Sequence, residues 1–340
     1  MTISLSILEQ SIQPHDFDLK DVLTETVALA QLAESLNFKR FWVAEHHNMA
    51  SAAGSAPEIL LAYLAAKTEK IQLASGGVML QHYSPFKVVE QFNTLNNLAD
   101  GRISLGVGKA PGGLQSSTQA LQEGFASDTT PSFEEKLATL THFTRHDFVE
   151  GHPYADLKAQ PDVGTPLPLY LLGGSVTSAI LAAELGINFV YAHFINGDDT
   201  LLKDVHTAYH QHFTGDTPNF QLASVYALAS SKAAAEKLIT IGKGFRVVSA
   251  DGKKLNLNTR EQVDSYVATL DQSYEVIQQQ AGRFVGTPAA VLQQLHDFHT
   301  TYGISDFIAV TPIEDAAAKQ SSITALGALL PQLKILEKVV

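Results

Sequence analysis

The chain has 340 residues, 45% hydrophobic and 17% charged, a globular balance long enough for two ordinary domains or one large α/β barrel. Its 23 Lys and Arg against 35 Asp and Glu give a formal charge of −12. That argues against nucleic acid or an anionic membrane as partner, because phosphate surfaces are held by clustered basic side chains. Cysteine is absent, which excludes disulfides, thiolate metal sites and cysteine nucleophiles.

The first residues lack the basic start and long apolar core of a signal peptide, and no later segment approaches roughly 18 consecutive apolar residues. A cytoplasmic protein with no membrane contact is expected. Short β-branched or aromatic runs then alternate with helix-length amphipathic segments. ISLSIL (3–8) precedes a helix over 19–37, where Val22, Leu23, Val27, Leu29, Ala30, Ala33 and Leu36 recur near helical spacing. RFWVA (40–44) precedes a helix over 56–68, with Pro57 at a first helical position. IQLASGG (71–77) precedes a helix over 85–99, and RISLGVG (102–108) follows the Asp100–Gly101 turn.

After a Gly, Ser and Gln-rich stretch at 110–130 comes a helix near 131–145, then LPLYLLGG (167–174) with a helix over 175–186. NFVYAH (188–193) is followed by a helix near 198–213, FQLASVYALA (220–229) opens the seventh unit, and DFIAVT (306–311) is the eighth strand before a last helix near 315–338. Eight βα units with short connections predict parallel pairing and closure into a (β/α)₈ TIM barrel, with an open doubly wound sheet as the alternative. The reading is one domain over 1–340 with insertions at the C-terminal mouth near 110–130 and 231–285, the latter polar and strand-poor.

Barrel active sites lie where the strands end. The candidates are therefore Glu9, Glu45, His46, His47, Gly76, Gly77, Lys109, Gly173, Gly174, Ser175, His193, Ser230 and Thr311. Gly173 and Gly174 let backbone approach a ligand, and Ser175 and Ser178 stand at the cap and first turn of the next helix, where free N–H groups favour a phosphate. The same pattern serves plain N-capping, but Lys109 on the neighbouring strand brings a cation to the same place. His46 and His47 are adjacent, so strand alternation turns them apart and disfavours a two-histidine metal pair; no metal is expected. Glu45 beside His46 suits a carboxylate that sets the tautomer of a catalytic imidazole, and His47 is read as structural.

Three segments, FWVAEHHN, SGGVMLQHYSPFKVVEQFNTLNNLADGRISLGVGKAPG and LYLLGGSVTSAILAAELG, resemble in order and spacing the luciferase-like flavin-dependent monooxygenases, the family of bacterial luciferase. The resemblance covers most of residues 1–195. It implies an FMN-binding (β/α)₈ barrel that uses reduced FMN and O₂ on a small organic substrate, and a homodimer formed through helices near the start of the barrel; whether NAD(P)H reduces the flavin through a separate flavin reductase or in place is left open. By the same resemblance His46 matches the catalytic histidine, and Gly76 and Gly77 match a pair joined by a non-proline cis peptide under the flavin ring. Lys109 matches an arginine on the flavin phosphate, and Ser175 and Ser178 match the phosphate-binding helix start. Lysine lacks the bidentate fork of arginine, and Gln81 stands where relatives often have proline. A deazaflavin-dependent hydride-transfer oxidoreductase and a non-catalytic flavin-binding protein are the alternatives the resemblance leaves open.

Overall fold

Eight strands pair side by side in parallel and the last returns to the first: β1 (Ser4–Glu9), β2 (Arg40–Val43), β3 (Gln72–Ser75), β4 (Ile103–Gly108), β5 (Leu169–Gly173), β6 (Asn188–Ala192), β7 (Phe220–Leu228) and β8 (Asp306–Val310). The closing ladder puts Ser6 of β1 opposite Ile308 of β8. This computed structural model describes residues 3–12, 18–124, 130–162, 164, 167–195, 197–240, 245–252, 254–257, 260–278 and 284–336. The expected TIM barrel is the observed architecture.

Side-chain alternation sorts the strands into two layers. Ile7, Phe41, Leu73, Leu105, Phe189, Leu222 and Phe307 point outward into the core shared with the surrounding helices. Leu8, Trp42, Ala74, Tyr170, Val190, Ala223, Ile308 and Val310, drawn from seven strands, meet in the lumen. Each large side chain buried in this way contributes about 1.5–3 kcal/mol of apolar transfer. Trp42, the single tryptophan, packs edge-on against Tyr170 with ring centroids 5.2 Å apart. The eighth strand, β4, gives way to it: a Cβ on Gly106 would collide with the carbonyl oxygen of Ser75 and with Leu172, and would lie 3.1 Å from Cζ3 of Trp42.

The helices follow the expected order, with ends set by recognisable caps. Asp18 accepts from Lys20 N–H before helix Leu19–Ser35, Pro57 and Pro85 open the next two, and Ser132 with Glu135 forms a reciprocal capping box before Phe133–Arg145.

Two expectations need correction. The stretch 231–285 is not strand-poor: Phe245–Ser249 pairs antiparallel with Lys254–Leu257 and with Tyr274–Gln278, and Phe284–Gly286 runs parallel to the end of β7. Small antiparallel sheets keep one face in water, so their polar residues dilute the apolar signal; on the first strand Val247 is buried while Phe245, Arg246 and Val248 are only partly covered. The final helix is two, Ala316–Gly327 and Leu330–Leu336, separated where Pro331 sets a new first turn. Within 110–130 the structure contains a short helix, Gln115–Leu121. Among the described residues no helix is long and apolar enough to cross a membrane.

Candidate active site

Because all eight barrel strands are parallel, the residues that follow them share one rim, and Glu45, His46, Gly76, Gly77, Lys109, Gly174 and Ser175 follow four adjacent strands, β2 to β5. At β3 the backbone turns sharply. Gly76 donates its N–H to the Val43 carbonyl at 2.7 Å, and the Gly76–Gly77 peptide is cis. A Cβ on Gly77 would sit 2.9 Å from the Gly106 carbonyl oxygen, and one on Gly76 would sit 2.7 Å from Cδ1 of Leu8, so only glycine lets this turn lie against the barrel top.

Next to the turn lies a buried cluster. Glu45 is fully buried, and its Oε1 lies 2.7 Å from Nε2 of His47 and accepts from the Tyr83 hydroxyl at 2.7 Å, while Oε2 accepts the Met79 N–H at 3.1 Å. Burial first, and the Glu45 carboxylate second, push the Tyr83 phenol well above its ordinary range. Burial also raises the Glu58 carboxyl, at the first turn of helix Pro57–Lys67, with Glu45 adding to the shift. His47 donates its backbone N–H to the Gly112 carbonyl at 2.8 Å. His82 Nε2 meets the Pro111 carbonyl at 2.9 Å and its Nδ1 meets Gln122 at 3.2 Å, so the 110–122 segment is tied down over the cluster.

The geometry reassigns one expected pairing. Glu45 does not orient His46; it holds His47, which strand alternation had turned away from consideration. The chain leaves β2 after Val43, so strand alternation no longer governs residues 45–47. His46 donates its backbone N–H to the Gly54 carbonyl, its Nδ1 is buried with no hydrogen-bond partner among the described residues, and burial, reinforced by His47, pushes its imidazole down to about 4.

The anion side is differently built. Ser175 and Ser178 form a reciprocal capping box at helix Val176–Glu184: Ser175 Oγ accepts the Ser178 N–H at 3.2 Å and Ser178 Oγ accepts the Ser175 N–H at 3.3 Å. Their hydroxyls serve the cap, which leaves the remaining first-turn N–H groups for an anion. A Cβ on Gly174 would meet nothing within 4 Å, so the backbone there is open to a ligand. Lys109 is exposed and ion-paired with Glu134 at 2.7 Å, and that lysine holds the glutamate carboxyl below its usual range.

Of the other rim candidates, His193 and Glu9 are occupied structurally. His193 contacts Ser224 Oγ at 3.1 Å and Asp199 at 3.2 Å, and Glu9 lies 3.5 Å from Lys319 and accepts the Ser11 N–H at 2.8 Å. Thr311 Oγ1 is buried without a partner among the described residues, and Ser230 is exposed. Gln81, where the resemblance expects proline, fixes its loop through its carbonyl, which accepts from Lys136 Nζ at 2.8 Å and from Gln122 at 3.3 Å. Sequence reasoning missed Tyr83, Met79 and Glu58. The one available signal was that His82 and Tyr83 directly follow the strand 3 turn.

A cofactor with a flat ring and a phosphate fits what is present. The glycine turn offers a surface without side chains, Gly174 opens onto a helix start, Lys109 follows the neighbouring strand, and among the described residues His46 carries an orphaned buried nitrogen.

The family model described as luciferase-like monooxygenase matches residues 4–304. The chain is 49% identical over 326 residues to an N-acetyl-S-alkylcysteine monooxygenase of Bacillus subtilis, covering 96% of this chain and 97% of that one. It is 38% identical over 228 residues to a luciferase-like monooxygenase of Escherichia coli, 67% of this chain and 65% of that protein. Among solved structures, apo-MsnO8 superposes with a TM-score of 0.76 at 29% identity, covering 97% of this chain and 99% of that one. With the barrel, the cis Gly76–Gly77 turn and the rim cluster in place, these matches establish that the chain belongs to the luciferase-like monooxygenase family.

Proposed function

We propose that the chain is a flavin-dependent monooxygenase that takes reduced FMN and O₂ and oxygenates a small organic molecule, with S-alkylated N-acetylcysteines as the first substrate class to test. One observation carries the reading: a side-chain-free glycine turn, an open helix start with a neighbouring lysine, and a buried carboxylate–imidazole pair all stand on the rim above β2 to β5. The relative at 49% identity supports the substrate class.

Reduced flavin, when bound, supplies the two electrons with which O₂ is split between substrate and water. The protein's own residues bind, orient and exclude. Gly76 and Gly77 provide the seat for the ring. Lys109 and the N–H groups at the start of helix Val176–Glu184 hold the phosphate. His46, kept neutral by burial, acts as a hydrogen-bond partner of the bound ring through its unengaged Nδ1. The 110–122 segment, fastened through Pro111 and Gly112, keeps water from the buried side. Electrons from NAD(P)H reach the site through a separate reductase. A homodimer belongs to the same reading: Ile59 and Tyr63 on helix Pro57–Lys67 and Leu98 on Pro85–Leu98 are exposed apolar groups that such an interface covers.

The deciding experiment titrates the protein with oxidised and reduced FMN and then follows O₂ uptake with a panel of thioethers headed by S-alkyl-N-acetylcysteines. Saturable micromolar binding of FMN and substrate-dependent product bearing one oxygen atom are expected. Absence of saturable binding of either form ends the proposal, and hydride transfer from a reduced deazaflavin without O₂ uptake would replace it.

A further inference from the structure

We propose that His47 is the proton-carrying imidazole of this site, with Glu45 and Tyr83 as the residues that position it. The inference rests on the monooxygenase reading above and adds to it a residue that the sequence resemblance assigns elsewhere.

The arrangement around Glu45 carries the argument. Its Oε1 is shared by Tyr83 O–H and His47 Nε2, each at 2.7 Å, and its Oε2 takes the Met79 N–H at 3.1 Å. A carboxylate surrounded by donors has only an acceptor's role left, so the imidazole proton sits on Nε2 and the lone pair on Nδ1. Nδ1 of His47 has no hydrogen-bond partner among the described residues, and the His47 side chain keeps 11% of its surface exposed. His82, the nearest other imidazole with ring centroids 5.9 Å away, has both nitrogens committed to Pro111 and Gln122. Among the described residues His46 has no carboxylate partner.

The charged and titratable groups facing His47 come from each packed element: Glu45 and His46 from its own segment, His82 and Tyr83 from the turn after β3, and Glu58 from helix Pro57–Lys67. Lys136 from helix Phe133–Arg145 spends its ammonium on the Gln81 and Tyr83 carbonyls at 2.8 and 3.1 Å, and Lys109 is paired with Glu134. Overall, substrate, O₂ and reduced FMN give oxygenated substrate, water and oxidised FMN. With the reduced flavin as neutral FMNH₂, its two hydrogens end in the water and no net proton is consumed; the proton that His47 takes up at Nδ1 would come from the reduced flavin and pass to the oxygen that leaves as water, which returns the imidazole to its neutral form in each turnover.

Three measurements on the full-length protein test this. First, ¹⁵N-edited NMR of the protein without cofactor reports the tautomer, and protonation at Nε2 of His47 is expected near neutral pH. Second, His47→Gln keeps a donor for Glu45 but cannot titrate. It is expected to lower kcat by about 100-fold or more, with KM values and FMN affinity changed by less than about threefold. Third, Tyr83→Phe releases Glu45 to His47 alone. The acidic limb of the kcat–pH profile is then expected to move to higher pH by about half to one unit, a three- to tenfold change in proton concentration, which a merely structural hydroxyl would not produce. A proton on Nδ1 of His47 would overturn the inference. So would His47→Gln with the parent's kcat and pH profile in an enzyme that oxygenates its substrate. A parent protein that forms no oxygenated product from reduced FMN, O₂ and the substrate panel removes the monooxygenase reading itself, and with it this step, while the tautomer measurement, which needs no cofactor, still reports the geometry.

Discussion

The two sides of the barrel rim are built in opposite ways. On the side where an anion is expected, the Ser175 and Ser178 hydroxyls each accept the other's backbone N–H across three positions, and Lys109 reaches an exposed carboxylate. On the imidazole side, Glu45 is sealed from water and draws its donors from Met79 and Tyr83, 34 and 38 positions away. Local, solvated contacts are replaceable at little cost. Buried contacts gathered from distant segments are not, because a missing partner leaves a desolvated polar group behind.

The contrast can be broken most forcefully from beneath. Gly106→Ala places a methyl group on the Ser75 carbonyl oxygen and Leu172. Backbone on one side and the Trp42 ring on the other leave it no room, so a loss of more than about 4 kcal/mol, read as failure to accumulate folded protein or a collapse in denaturant midpoint, is expected. Second in size is Glu45→Gln. The amide matches the carboxylate in shape but turns an N–H₂ toward groups that are themselves donors, and about 3 kcal/mol of stability should disappear in urea unfolding; a loss below about 1 kcal/mol would show that the cluster is not held by that charge.

Acid probes the same side. The His46 imidazole stands at about 4 in the folded protein against 6.5 for the free side chain. The unfolded chain therefore binds this proton first as pH falls, and stability drops between pH 6.5 and about 4, then levels off. The loss attributable to His46 is on the order of 3 kcal/mol at its limit. His206, pushed down to about 4 by burial, acts in the same direction. Unfolding measured at pH 7 and pH 4.5 should show a smaller difference in His46→Asn than in the parent, and equal differences would contradict the burial argument.

The anion side should respond mildly. Ser175→Ala removes one half of a capping box and is expected to cost about 1 kcal/mol, measured by thermal unfolding. Smallest of all, Glu134→Gln frees Lys109 from an exposed pair worth less than about 1 kcal/mol. Stability should scarcely move, while FMN binds a few-fold tighter by fluorescence titration if Lys109 serves the phosphate; unchanged or weaker affinity counts against that assignment.

How far the sequence could be read follows the same division. The βα alternation, helix starts at Pro57 and Pro85, the glycine pair and the serine cap were legible, because each is written within one turn or strand of chain. The partner of Glu45 was not. Strand alternation predicts opposite faces for neighbours, but residues 45–47 lie beyond the end of β2, where His47 is held instead by the Gly112 carbonyl. The small sheet within 245–278 escaped notice because its strands are short and largely open to water, which weakens the period-two pattern on which detection depends.

Alone, the order of residues determined a run of parallel βα units with glycines, a lysine and a helix start after the middle strands. Those features arise from backbone preference and hydrophobic period, both local properties. Only the tertiary structure decided which imidazole meets the carboxylate, that Lys109 already has an anionic partner, and that the 110–122 segment is bonded to His47 and His82. Each of these is a competition among side chains far apart in the chain, and it is settled by which of them share a water-excluded space.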